Sequence, residues 1–254
     1  MPRLPASRYE IAIPSYQRPD TLARHTLPWL KAGGVDLSRV TVFNPHDDDR
    51  FIDRYADLVR EHGMRQHVTG AQGIAQQRQH ISRYYEPGTP VVNLDDDITN
   101  LVKALDPKHL EPVTDLDHWF RRAFIEAAGA DLNVWGVNAV VNPFMMNPGR
   151  PPSTGLKFAI ATCWGFYSRP GHPVHHNTVP VKEDYELSLR AWWYDGGLLR
   201  FDDHAVRADH YRIAGGCQQE RTPELSLRAA AKLMQDWPGL VRPNPRRKGE
   251  HAEI

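Results

Sequence analysis

Between Tyr9 and Leu94 the chain alternates short β-branched runs with segments whose apolar residues recur at helical spacing, and this alternation most limits the folds open to it. Tyr9 to Ile13 reads as a first strand that breaks at Pro14-Ser15-Tyr16. Asp20 is placed to cap the next helix, which carries Leu22, Leu27 and Leu30, is kinked by Pro28 and ends at Gly33-Gly34. Val40 to Phe43 is a second strand, stopped by Asn44-Pro45. A helix from Phe51 to His62 follows, with Gly63 as its left-handed cap. A weaker third strand covers Gln66 to Thr69 before the loop Gly70-Ala71-Gln72-Gly73 opens a helix through Arg78 to Tyr84. The next strand begins at Pro90. This order predicts an α/β fold: a mixed, mainly parallel sheet with helices on both faces.

The strand from Pro90 ends abruptly. Pro90-Val91-Val92-Asn93-Leu94 runs into Asp95-Asp96-Asp97, and the chain turns apolar again at Ile98. Carboxylates at the carboxyl end of such a strand stand where open α/β sheets bind ligands. Three adjacent acids repel one another unless a cation or hydrogen-bond donors offset the repulsion. Hard oxygen ligands of this kind suit Mg²⁺ or Mn²⁺. An acidic turn open to water is the plain alternative. A second triplet, Asp47-Asp48-Asp49, is separated from its strand by Pro45 and His46. It reads as helix-start acids favoured by the macrodipole, with Asp49 as the cap.

Beyond Asp97 the pattern changes. A helix from Asp115 to Ala130, capped at Thr114 or Asp115, buries Trp119, Phe120, Ala123, Phe124 and Ala127. Asn133 to Asn142 and Lys157 to Tyr167 are strand-like, joined by a mobile Asn147 to Gly155 loop. Ser168 to Val179 reads as a solvated loop, because the spacing of His172, His175 and His176 matches no standard zinc site. Lys182 to Trp193 is a helix packing through Tyr185, Leu189 and Trp192, with Leu187 and Ala191 alongside. Glu183 and Asp184 stand at its start, where dipole and capping favour acids in any case. Leu198 to Phe201 and Ala205 to Ala208 suggest a closing hairpin, and Pro223 to Gln235 a last helix.

Composition sets the class without naming a function. The 254 residues carry 31 Lys and Arg against 31 Asp and Glu, which argues against a generally basic nucleic-acid coat but permits a local positive face. Cys163 and Cys217 are far apart and lack CxxC partners, which suits a reduced, cytoplasmic setting. Met1 to Pro5 lacks the apolar core of a signal peptide, and no stretch approaches membrane-spanning length. The length suits one large α/β domain or two small ones. Residues 242–254 form a basic, proline-broken tail.

Four motifs in order, over residues 9 to 212, resemble nucleotide-sugar glycosyltransferases of the GT-A fold, especially the inverting family-2 type. Ile11 to Pro19 looks like the family's first strand and nucleotide loop. Gly73 to Arg78 resembles its glycine-to-arginine helix, Asn93 to Asp97 its DxD metal motif, and Lys182 to Arg190 the Glu-Asp motif of the catalytic base. The resemblance implies a UDP-sugar donor held by Pro14, Ser15, Tyr16, Arg18, Asn44, Gly73, Arg78, Asp95 and Asp96. It also implies Mn²⁺ or Mg²⁺ on Asp95, Asp97 and His210, and Asp184 as general base with Glu183 as substitute. One domain over residues 1–241 is implied as well, with a nucleotide-binding part near 8–100 and an acceptor part near 101–241.

Two departures stand out: Asn44, where many relatives place an acid, and the Phe144 to Gly155 loop. The compact length and the late Asp209-His210 are similar to phage TET-associated glycosyltransferases, which imply 5-hydroxymethylcytosine in DNA as acceptor. Arg121, Arg122, the Asn147 to Gly155 loop and Arg242 to Lys248 are the candidate phosphate contacts, with ordinary solvated charge as the alternative for each and the favoured reading for Arg121 and Arg122. A glycan or small-molecule acceptor, a metal-dependent nucleotidyltransferase or nuclease, and a non-catalytic binding module remain as rival readings.

Overall fold

A computed structural model describes residues 2–45, 49–209, 222–245 and 254. The strands are β1 (Glu10–Pro14), β2 (Val40–Pro45), β3 (Gln66–Gly70), β4 (Pro90–Leu94), β5 (Ile98–Ala104), β6 (Leu110–Pro112), β7 (Val134–Asn138), β8 (Cys163–Tyr167) and β9 (Leu199–Ala208). The α-helices are α1 (Pro19–Arg24), α2 (Thr26–Ala32), α3 (Ile52–His62), α4 (Ile74–Tyr84), α5 (Leu116–Gly129), α6 (Glu183–Asp195) and α7 (Pro223–Asp236).

All nine strands join one sheet in the order β3-β2-β1-β4-β8-β7-β9-β5-β6. The β3-β2-β1-β4 half is parallel throughout, as the strand–helix alternation requires. From β4 onward the sheet is mixed: β8 runs antiparallel to β4 and β7, β9 runs parallel to β7, and β5 runs antiparallel to β9 and β6. The two-residue period of the strands divides the core. Ile11, Ile13, Val92 and Leu94 pack on one face with residues of α1, α2, α3 and α5. Ala12 and Val91 point to the other face, with Ile81 of α4 and Leu187 of α6. Gly165 in β8 permits one close approach, since a Cβ there would come within 2.3 Å of the Trp135 ring.

The helix expected after β1 is two helices. In a continuous helix the Pro28 ring would clash with the carbonyl one turn back, and the chain breaks at His25 between α1 and α2. Asp20 lies in the first turn of α1, and Arg18 occupies the N-cap. Asp49 does not cap α3; it opens a 3₁₀ turn, and Phe51 stands at the N-cap. Asp47 and Asp48 lie outside the described residues. Asp115 caps α5 as expected, accepting from the His118 amide at 2.9 Å.

Three expectations for the second half need correction. The expected closing hairpin is the single strand β9: Asp202 and Asp203 fall in a register shift between the Phe201 and Ala205 pairings with β7, where Arg200 pairs with Asp202 and His204 with Asp203. Lys157 to Thr162 is not strand, and the chain enters β8 at Cys163. Ser168 to Val179 is not solvated throughout, because Val174 and His175 are buried and His175 lies against the Trp164 and Phe166 rings. His176 instead meets Gln79, so these histidines do not converge. In α6 the buried side carries Glu183 and Glu186 beside Leu187 and Ala191, whereas Trp193 and Tyr194 are exposed. No helix among the described residues is long and apolar enough to cross a membrane.

Candidate active site

The chain leaves β1 outward to β2 and β3 and returns to β4 on the other side of β1, so the sheet's switch point lies between β1 and β4. Carboxyl ends of strands at such a point form the usual ligand crevice. The loop Ser15-Tyr16-Gln17-Arg18 leaves β1 there, and Asp95-Asp96-Asp97 leaves β4 there.

The two segments are locked together. Arg18 places Nη2 at 2.8 Å from Asp96 Oδ1 and Nη1 at 3.4 Å from Asp97 Oδ2. Ser15 Oγ donates to Asp96 Oδ2 at 2.7 Å. With that proton committed, Tyr55 donates to Ser15 Oγ across 2.9 Å and accepts from the Arg18 amide. Asp96 and Asp97 are each 1 % exposed. Burial pushes the Asp96 carboxyl up to about 7, against the pull of Arg18 and Ser15. Behind the turn, Thr26 Oγ1 donates to the Asp95 carbonyl and accepts from the Ile98 amide, both at 3.0 Å. This stitch holds the acidic turn on α2.

Asp95 faces a second arginine. Arg78 on α4 reaches Asp95 Oδ1 at 3.0 Å with Nη2 and Glu183 Oε1 at 2.5 Å with Nη1, and also donates to the Ala161 carbonyl at 3.1 Å. One buried guanidinium therefore joins the end of β4 to the start of α6, two places far apart in sequence. Glu183 is buried and paired, while Asp184 beside it is half-buried. Glu186 is fully buried and fixes the preceding loop, accepting from Thr178 and Val179 amides and pairing with Arg190.

The backbone is strained at both edges. Gln17 (φ 58°) and Lys182 (φ 64°) are two of the three described non-glycine residues in the left-handed region. They immediately precede Arg18 and Glu183. Such residues cost on the order of 1–3 kcal/mol and gather where surroundings over-determine the chain.

Of the residues singled out from sequence, Pro14, Ser15, Arg18, Asp95, Asp96 and Asp97 meet around the switch point, and Arg78 brings Glu183 and Asp184 to them. Tyr16 is half-buried in the β1 loop. Asn44 is buried at the end of β2, with Nδ2 on the Pro45 carbonyl and Oδ1 lacking a partner among the described residues. Gly73 caps α4 with φ 79°, but the nearby Ala71 amide already donates to Gln77 at 2.7 Å. Arg121 and Arg122 pair with Asp117 and Glu126 one turn away. His210, Cys217 and the tail from 246 to 253 lie outside the described residues. Thr26, Tyr55, His175 and Glu186 were not singled out as site residues, because their partners are set by tertiary structure.

No protein-family model and no curated protein sequence matches the chain. Solved structures do. TarS 1–349 from S. aureus in complex with UDP-GlcNAc superposes with a TM-score of 0.52 at 12 % identity, covering 89 % of this chain and 66 % of that one. The mannosyltransferase PcManGT from Pyrobaculum calidifontis, in complex with GDP-Man and Mn²⁺, gives a TM-score of 0.53 at 13 % identity, covering 94 % of this chain and 68 % of that one. The chain thus spans slightly less than two thirds of the TarS fragment. At these identities the likeness speaks for the fold, which is GT-A-like: a Rossmann-type mixed α/β sheet with its crevice at the β1–β4 switch point.

Proposed function

We propose that the chain is a glycosyltransferase that moves a sugar from a nucleoside-diphosphate donor, a UDP-sugar, to a hydroxyl group with inversion at the anomeric carbon. The observation carrying this reading is the Arg78 guanidinium between Asp95 and Glu183, which gives a donor-side carboxylate and a base-side acid pair one crevice. The nucleotide is assigned to the loop of Pro14, Ser15, Tyr16 and Arg18, with Asn44 and Gly73 at its rim and Asp95 and Asp96 toward the ribose.

The residues fit a hard divalent cation, Mn²⁺ or Mg²⁺. Their donors are carboxylate oxygens, and Asp95, Asp96, Asp97, Glu183 and Asp184 outnumber the two arginines paired with them. Asp95 and Asp97 are the residues to hold it, with His210 a further candidate from sequence. No three ligating groups converge into a ready-made cage among the described residues. These ions commonly take only one or two carboxylates and complete their shell with water and substrate phosphates. Such a cation, when bound, offsets charge on a departing diphosphate.

With Glu183 tied to Arg78, Asp184 is the general base. It takes the proton of the acceptor hydroxyl as that oxygen bonds to the anomeric carbon. The bond to the diphosphate breaks on the opposite face, so configuration inverts. The acceptor we favour is the hydroxymethyl group of 5-hydroxymethylcytosine in DNA, presented in the major groove or on an extruded base. Exposed Arg150 in the 147–155 loop and the tail beginning at Arg242 are candidate phosphate contacts.

The test is incubation with Mn²⁺, a panel of UDP- and GDP-sugars, and hydroxymethylated or plain DNA, read by nucleoside mass spectrometry. One added hexose on the modified base alone is expected. A product on a glycan acceptor would move the acceptor class. Pyrophosphate release from a nucleoside triphosphate, without sugar transfer, would replace the reading with nucleotidyl transfer.

A further inference from the structure

We propose that a single bound water between α4, β8 and α6 joins His175 to Glu183 and Arg78, making His175 a positioning residue for the acid pair at the start of α6. The inference rests on the assignment of Asp184 as the base. Its starting point is a cavity lined by Arg78, Trp164, His175, Glu183, Asp184 and Leu187, with room of about 10 Å³ for the centre of a water molecule. That is about the space of one water and too little for a sugar.

Three of the lining residues carry a buried polar atom with no partner among the described residues: Arg78 Nε, Glu183 Oε2 and His175 Nε2. A buried water typically makes two to four hydrogen bonds to groups otherwise unsatisfied. Arg78 Nε–H can only donate and Glu183 Oε2, ionised, can only accept, so a water accepting from one and donating to the other completes both. His175 supplies the third contact in either neutral tautomer. Burial holds its imidazole down to about 3, so the ring stays neutral at ordinary pH. The Phe166 ring at 4.6 Å and the Trp164 ring at 6.2 Å, centroid to centroid, fix its place.

The consequence is mechanical. Arg78 holds one oxygen of Glu183, and the water held by His175 holds the other, so Glu183 cannot rotate. Asp184, the next residue in the same helical turn, inherits that fixed orientation.

A high-resolution crystal structure of the full chain tests the water directly. Density is expected for one water within about 2.7–3.2 Å of all three atoms. A dry cavity, or His175 bonded directly to Glu183, overturns the inference. His175→Phe keeps a ring against Phe166 and Trp164 but loses the third contact. Its kcat is expected to fall up to about tenfold with donor KM unchanged, the scale of one lost hydrogen bond. Its crystals should show Glu183 rotated, and His175→Gln should recover part of the loss. An unchanged kcat and an unmoved Glu183 in His175→Phe overturn the positioning role. If no donor supports transfer, the proposed function fails by itself, while the wild-type density and the Glu183 rotamer still decide this inference.

Discussion

A half-buried arginine, Arg18, and a buried one, Arg78, hold the two ends of one crevice, and the difference between them shows how the site is built. Arg18 pairs with Asp96 and Asp97, neighbours on one turn, and so relieves a repulsion created by the local sequence. Arg78 pairs with Asp95 and Glu183, which only the fold brings together. Loss of Arg18 leaves Asp96 a remedy, because its carboxyl already sits near 7 and can take up a proton. Loss of Arg78 parts the acidic turn after β4 from the start of α6. The first arginine neutralises a turn; the second assembles a site.

The largest effect belongs to the proposed base, Asp184. Asp184→Asn should retain donor binding, measured calorimetrically, and lose transfer by about 10²- to 10⁴-fold, the range for general-base removal. Transfer at the wild-type rate would remove Asp184 from the mechanism.

The arginines come next. Arg78→Met leaves buried Glu183 facing Asp95 without a counter-charge and should cost about 3–5 kcal/mol in denaturant unfolding, with transfer lost as well. Arg18→Met should cost less, about 1–3 kcal/mol, because it removes hydrogen bonds to charged groups while Asp96 can neutralise itself. Equal losses in the two variants would erase the distinction drawn between a local clamp and a long-range tie.

The same distinction separates what could be read from the sequence from what could not. The Asp95 triplet stands out because a strand precedes it directly, and the parallel half of the sheet follows from the strand–helix order. Arg78 is visible as a residue but not as a bridge, since Glu183 is 105 positions away. Thr26, Tyr55 and His175 look like ordinary helix or loop residues until the fold supplies Asp95, Ser15 and Trp164 as neighbours. The strand β9 is hidden by Asp202-Asp203-His204, which reads as a turn when its pairings are unknown. Periodicity reports which side of an element is buried; it does not report which polar groups meet there.

Asp96 sharpens the local side of the comparison through pH. Its carboxyl titrates near 7 in the folded protein and near 3.8 when released. Between those values the native state holds a proton that the unfolded chain has lost. The stability from this group is therefore complete below about 3.8 and is lost as pH rises through about 7. The Asp96→Asn variant should lack this component. Comparing its unfolding free energy with the wild type across that window should show the wild type losing ground by up to about 1.4 kcal/mol per pH unit. Parallel curves would mean that Arg18 keeps Asp96 ionised throughout, and that the clamp is a full ion pair.

The smallest effect tests the arginines outside the crevice. Arg122 is 39 % exposed and pairs with Glu126 one helical turn on, a geometry in which solvent screens the charge and the freedom of two long side chains opposes the contact. Arg122→Ala should cost no more than about 0.5 kcal/mol. If the proposed DNA acceptor holds, the substitution should also leave the salt dependence of DNA binding unchanged, because the guanidinium already has a carboxylate partner. A shallower salt dependence would instead put Arg122 on the phosphates, where releasing one counterion lowers the slope by about one. In that case α5 would belong to the acceptor surface, and the functional arginines would extend beyond the two that hold the crevice.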